Sequence, residues 1–234
     1  MGVVGDEPRP PQQEDSAEGL WAGETSMGDW MAIFVLEDGA TWGWAQTGDE
    51  IFSVLHAQTS WSNGNLEGGG TEFDVHYGPI DVDYTGTYEP RNWLEGQINT
   101  EADAEPIEFS GRYATRYDQP ASLAALAGTY EGQLVTTAPP YEGIRLMISD
   151  SGAISAPESE FCTGTGQALP HKNKNIFHLQ ISFAGIACAL GDGASVEGVA
   201  YLEEGNLIAM GVNPSLQQEG FLFAGAQIAG GARQ

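Results

Sequence analysis

The chain has 234 residues, with 33 Asp or Glu against 8 Lys or Arg, a formal net charge of −25, 32 Gly, 12 Pro and two Cys. So acidic a surface repels phosphate backbones and anionic headgroups, which excludes nucleic-acid binding and adhesion to anionic membrane surfaces. With 41% hydrophobic and 10% aromatic residues the chain can bury one large all-β core or two small ones. No run approaches the roughly 18–20 apolar residues of a membrane-spanning helix.

Residues 1–18 contain Asp6, Glu7, Glu14, Asp15, Glu18 and three prolines without apolar periodicity. This composition predicts a solvated, extended tether. Met1-Gly2 lacks the charged and apolar regions of a secretory signal and reads as a start that replaces a removed leader. From Gly19 onward the pattern is short strands separated by turns. The segment Trp30 to Leu36 is apolar on both faces, which predicts a strand buried on both sides, one of them against the second half of the chain. Asp38-Gly39, Asn63-Gly64 and Ser151-Gly152 each lie between apolar or β-branched runs and predict tight hairpin turns.

All six tryptophans (Trp21, Trp30, Trp42, Trp44, Trp61 and Trp93) fall in the first half. Trp42 and Trp44 are two apart in a predicted strand, so their rings share a side. Packed inward such indoles fill a core; on an open face they form a platform for sugars or for aromatic or lipidic ligands. Trp30, Trp42, Trp44, Trp61 and Trp93 are therefore the candidate ligand contacts.

Acidic pairs recur at Glu37-Asp38, Asp49-Glu50, Asp81-x-Asp83 and Glu203-Glu204, none in the register of a dedicated Ca²⁺ loop. They read as solvated turn acids, and no metal or cofactor is expected. Nucleophile elbows, zinc-protease helices, phosphate loops and dinucleotide fingerprints are absent. His56, His76, His171 and His178 are dispersed, so a catalytic role requires the fold to bring one beside a carboxylate.

Beyond Asp118 a single turn of helix is expected at Ser122 to Leu126, after Pro120. In the second half, Phe177 to Phe183 alternates strictly between apolar and polar residues, the signature of a strand wet on one face. Cys162 and Cys188 lie outside any metal-ligand or redox spacing. A disulfide between neighbouring strands is the simplest use and would place folding in an oxidising compartment; the alternative is two unrelated buried thiols.

The halves echo one another. Gly19-Leu20-Trp21-Ala22-Gly23 leads to Val35-Leu36-Glu37-Asp38-Gly39, as Gly128-Thr129-Tyr130-Glu131-Gly132 leads to Ile148-Ser149-Asp150-Ser151-Gly152. Leu94-Glu95-Gly96 resembles Val196-Glu197-Gly198, and Phe109-Ser110-Gly111 resembles Phe223-Ala224-Gly225. A period of about 100 residues is a duplicated domain, since solenoid units run to roughly 20–50. The expected fold is all-β: two related antiparallel barrels, or barrel-like sandwiches, of about seven to eight strands each. The expected layout is a tether over 1–18, a Trp-rich barrel over 19–118, a linker over 119–126, a second barrel over 127–227 and a tail over 228–234.

The Gly-Leu-Trp-x-Gly opening, Val35-Leu36-Glu37-Asp38-Gly39, the run Leu123 to Gly132, Phe161-Cys162-Thr163-Gly164-Thr165-Gly166 and Gly198-Val199-Ala200-Tyr201 resemble a family of small Gly-rich proteobacterial lipoproteins. The resemblance covers most of residues 19–226, and Cys162 and Cys188 correspond to the family's two cysteines. It implies a lipidated cysteine ahead of the tether, and hence a periplasmic or surface-exposed protein anchored at the outer membrane. At the level of fold the two-barrel plan is similar to that of transferrin-binding protein B and factor H binding protein. The tryptophans and the acidity depart from the family pattern.

Together these features predict a non-enzymatic envelope protein that binds a small apolar or carbohydrate ligand, or a protein partner, through its Trp-rich half. The alternatives are a structural or docking component without a small-molecule site, and an enzyme with an acid–base pair in a barrel cavity.

Overall fold

The structure, a computed structural model, describes residues 15–48, 50–101, 105–136, 141–159, 162–188, 190–213 and 216–228. The first barrel comprises β1 (Gly19–Thr25), β2 (Trp30–Val35), β3 (Ala40–Thr47), β4 (Glu50–Ser62), β5 (Asn65–Asp74), β6 (Gly78–Glu89), β7 (Trp93–Thr100) and β8 (Ile107–Tyr113). A 3₁₀ turn (Thr115–Asp118) and a one-turn helix α1 (Leu123–Leu126) lead to the second. That barrel comprises β9 (Gly128–Thr136), β10 (Tyr141–Ile148), β11 (Ala153–Ser159), β12 (Cys162–Pro170), β13 (Phe177–Ala184), β14 (Ser195–Glu203), β15 (Asn206–Asn213) and β16 (Leu216–Ile228). Each is an antiparallel meander of eight strands, closed where its first strand pairs with its last. The three expected hairpin turns are present, with Gly39, Gly64 and Gly152 at φ of +85°, +75° and +82°.

The repeated opening motif explains the closure. Gly23 faces Gly111 across the β1–β8 seam, and Gly132 faces Gly225 across the β9–β16 seam. A Cβ at Gly23 would lie 1.8 Å from the Ser110 carbonyl oxygen, and one at Gly132 would lie 2.0 Å from that of Ala224. The aromatic residue two places earlier closes one end of each lumen. The fully buried Trp21 donates its indole N–H to the Ala17 carbonyl at 2.9 Å, and Tyr130 donates its hydroxyl to the Leu126 carbonyl at 2.7 Å. In both cases the acceptor is four residues upstream, so the segment entering each barrel is also its plug.

Residues 1–14 of the expected tether and 229–234 of the expected tail lie outside the described residues. Within 15–18, Ala17 is fully buried, and Asp15 accepts from the Asn63 N–H and the Tyr88 hydroxyl, both at 2.6 Å. The first-barrel plug therefore begins before Gly19. The Phe109-Ser110-Gly111 and Phe223-Ala224-Gly225 echo falls on equivalent closing strands. The other echo does not: Leu94 to Gly96 lies in the seventh strand of its barrel and Val196 to Gly198 in the sixth of the other. The shared Glu-Gly pattern there is a local strand solution repeated, not an equivalent position.

Strand parity builds the joint between the barrels. Met31, Ile33 and Val35 of β2 point into the first lumen, while Ala32 and Phe34 point outward. The outer face, with Leu20, Trp42, Trp44 and Val54, packs on Val135, Val199, Tyr201, Met210, Val212 and Leu222 of the second barrel as one buried cluster. Phe34 is fully buried at the centre, its ring 5.3 Å from Tyr201 and 5.8 Å from Trp44. The second lumen is filled by Tyr130, Phe177, Phe183, Phe221 and Phe223, with Leu126 of α1 beneath them.

Polar groups rim the joint. Lys174 bridges Glu18 at 3.2 Å and Asp118 at 3.1 Å, Arg91 also grips Asp118, and Arg116 pairs with Glu203. Cys162 of β12 and Cys188 of the β13–β14 connection form a disulfide, their Cα atoms 4.8 Å apart.

Two outcomes test this arrangement. Phe34→Ala removes the central ring of the joint and should lower stability by about 3–5 kcal/mol in urea unfolding. Thiol titration of the protein unfolded without reductant should find no free thiol; two free thiols would refute the bridge.

Candidate functional site

The first lumen is not filled. A cavity of about 100 Å³ lies on its axis, lined from all eight strands by residues including Thr25, Ile33, Gly43, Leu55, Leu66, Val82, Ile98 and Phe109. Eight strands enclose an interior just wide enough for side chains or for one small ligand. Here Gly43 and Ala45 contribute almost no volume from β3, which leaves the space open. Towards the plugged end, Thr41, Thr59 and Tyr84 satisfy one another in a buried hydroxyl chain, at 2.5 Å and 2.6 Å. Burial pushes the Tyr84 hydroxyl above its ordinary pKa, so this chain is a neutral floor.

The opposite end of the lumen is acidic. Glu72, which accepts a hydrogen bond from Ser53, and Asp29, which accepts from Thr47 at 2.5 Å, border the cavity. A vestibule of about 290 Å³ continues outward from Asp29 and Phe52 to Glu50, Asp74, His76 and Tyr77. Asp74 organises the β5–β6 turn by accepting from the N–H groups of His76 and Tyr77 at 2.7 Å and 2.9 Å. Tyr77 is 81% exposed and Met27, in the neighbouring β1–β2 loop, is 72% exposed. Large apolar side chains thus stand in solvent on the loops at this end.

The sequence-predicted tryptophans are not gathered in one place. Trp42 and Trp44 do share a face, and that face is the barrel joint, where they are 6% and 7% exposed. Trp42 stacks beside His56 with ring centroids 4.3 Å apart, and burial lowers the His56 pKa. Trp30 lies half-buried against Trp44 at 5.5 Å, and the two border a groove of about 530 Å³ on the outer wall with Tyr201, Glu203 and Glu204. Trp44 also borders the lumen. Trp61 packs at the plugged end of the first barrel, and Trp93 donates its indole N–H to Glu89 at 2.9 Å.

Glu37, read from the sequence as a turn acid, and His171, one of the four dispersed histidines, acquire partners that sequence distance conceals. His171 is buried, with Nε2 2.8 Å from Glu37 of the first barrel and Nδ1 2.5 Å from Nε2 of His178; Lys172 also contacts Glu37. Glu37 is thus a joint residue, although 134 positions separate it from His171. Burial opposes its ionisation, but Lys172, its backbone N–H and His171 outweigh burial and hold the carboxyl at about 2, below its ordinary 4.5. Burial and the neighbouring His171 lower the His178 pKa. The order carboxylate–imidazole–imidazole is that of an acid–base relay. Among the described residues no Ser, Thr or Cys is hydrogen-bonded to His178, and the group ties the two barrels together.

No family model and no curated protein matches the chain. Among solved structures it is similar to the isotype 1 transferrin binding protein B from serogroup B Neisseria meningitidis, at 9% sequence identity and a TM-score of 0.34. The match covers 86% of this chain and 66% of that one, so this chain spans just under two thirds of that protein's length. The two-barrel assignment rests on this chain's own strand pairing.

A depressed carboxyl pKa adds stability that is present above the ordinary value and is lost as pH falls towards the folded one. Glu37 should therefore contribute to the folded state above about pH 4.5 and cease to do so as pH falls to about 2. Glu37→Gln should flatten that part of the stability–pH profile, measured by denaturant unfolding at a series of pH values.

Proposed function

We propose that the protein is a non-enzymatic binding protein of the cell envelope, held there as a lipoprotein, whose Trp-rich first barrel takes a small apolar group into its lumen. The observation that carries this reading is the lumenal cavity, closed at one end by the Trp21 plug and bordered at the other by the acidic vestibule. An apolar cavity of about 150 Å³ is known to stay dry and bind benzene. At about 100 Å³ this lumen suits a slightly smaller group, such as a short alkyl chain.

The remaining parts of the proposal have separate supports. The Cys162–Cys188 bridge favours an oxidising compartment. The lipid anchor rests on the motif resemblance over residues 19–226. In this reading the second barrel is the platform, because its lumen is occupied by its own phenylalanines. Ligand contacts fall on inward-pointing strand residues, with Trp44 bordering both the lumen and the outer groove.

A four-carbon alcohol should shift the NMR methyl signals of Met31 and Val82 saturably in the intact protein. Val82→Phe, which fills the cavity, should abolish the shift of the Met31 methyl signal while leaving the fold's methyl spectrum otherwise dispersed. Equal binding to wild type and Val82→Phe would overturn the lumenal site.

A further inference from the structure

Resting on that reading, the geometry points to the class of ligand: the lumen takes the apolar end of a small organic cation, whose charged head sits at the acidic mouth. Four carboxylates surround the path, Asp29 and Glu72 at the cavity itself and Glu50 and Asp74 in the vestibule. Neither lining contains a Lys or Arg among the described residues. The described cations lie elsewhere. Arg91, Arg116, Lys172 and Lys174 are committed to the joint, Arg145 pairs with Glu131 on the second barrel, and Arg112 of β8 lines neither the cavity nor the vestibule.

The charge has a direction relative to the apolar space. Ser53 and Thr47 orient Glu72 and Asp29 by hydrogen bonds, fixing acceptors at the boundary between the apolar lumen and the vestibule. A ligand with its tail against Ile33, Leu55 and Val82 therefore holds its first polar atom among these oxygens. An ammonium there is attracted by the rim and by the net charge of −25, whereas a carboxylate or phosphate is repelled by both. The exposed Tyr77 ring and the half-buried Phe52 ring in the vestibule add faces on which an alkylammonium is favourably placed. The apolar cavity makes the rim selective, since a free inorganic cation leaves the lumen empty.

The test uses four probes on the full chain at low and high salt: n-butylammonium, n-butanol, n-butyrate and methylammonium, titrated against the Met31 and Val82 methyl signals. Butylammonium should bind about tenfold tighter than butanol at low salt, the preference shrinking as salt screens the rim, with butyrate weakest. Methylammonium should leave the lumenal signals unmoved. Glu72→Gln and the more exposed Glu50→Gln should each reduce the preference for butylammonium over butanol and spare butanol binding. Butanol binding as tightly as butylammonium, with both variants silent, overturns the cationic class and leaves the apolar site standing. Failure of all four-carbon probes overturns the apolar site itself.

Discussion

The seam where each sheet meets itself is the constraint on which the rest of the molecule depends. Glycines oppose one another where β1 meets β8 and where β9 meets β16, and a single Cβ at Gly23 or Gly132 would sit about 2 Å from a carbonyl oxygen of the partner strand. Closure removes the sheet edges and fixes, for every strand, which side chains are inside. It also fixes the ends. The residue two before each seam glycine is an aromatic whose polar tip bonds a carbonyl four residues upstream, so closing the wall and plugging one end are a single local event.

Once parity is fixed, the outward faces of β2 and β3 have no solvent role, because Ala32, Phe34, Trp42 and Trp44 are too apolar to stand exposed together. They are buried against the second barrel, and the rim of that contact recruits Arg91, Arg116, Lys172 and Lys174. Eight basic residues serve a chain with thirty-three acids, and the joint takes half of them. Among the described residues none of the basic side chains lines the open end of the first barrel, and four of them are held where two barrels must be kept in register.

How much of this the sequence discloses follows the range of each interaction. Turn glycines, the alternation of Phe177 to Phe183 and the two-sided apolarity of Trp30 to Leu36 are local signals, and each appears in the structure as the residues suggest. The repeated opening motif also carries its meaning, since the seam needs the same spacing twice. Partnerships across the joint are different. Nothing near Glu37 in the sequence announces His171, and nothing near Asp118 announces Arg91 and Lys174 together; these pairs exist only after both barrels have closed and docked. The tryptophans show the same limit, because an indole on an outward face reads identically whether solvent or a second domain covers it. The cavity was least legible, for it is a shortage of volume, visible only when inward residues from all eight strands are added together.

That shortage separates two halves built to one plan. Both have eight strands, a glycine seam and an aromatic plug, yet Phe177, Phe183, Phe221 and Phe223 occupy the second lumen while the first holds about 100 Å³ of apolar space. A void of this kind forgoes contacts that a larger side chain at Gly43 or Ala45 would supply, at a cost of about 24 cal/mol per Å³ in measured cavity series. For this volume the forgone stability is of the order of 2 kcal/mol, a sizeable part of what a small domain has in hand. The hydroxyl chain of Thr41, Thr59 and Tyr84 at the floor and the hydrogen-bonded acids at the mouth give the empty space a defined apolar–polar axis. The other barrel shows that the same walls can be filled, and this oriented void is the feature on which the proposed lumenal site rests.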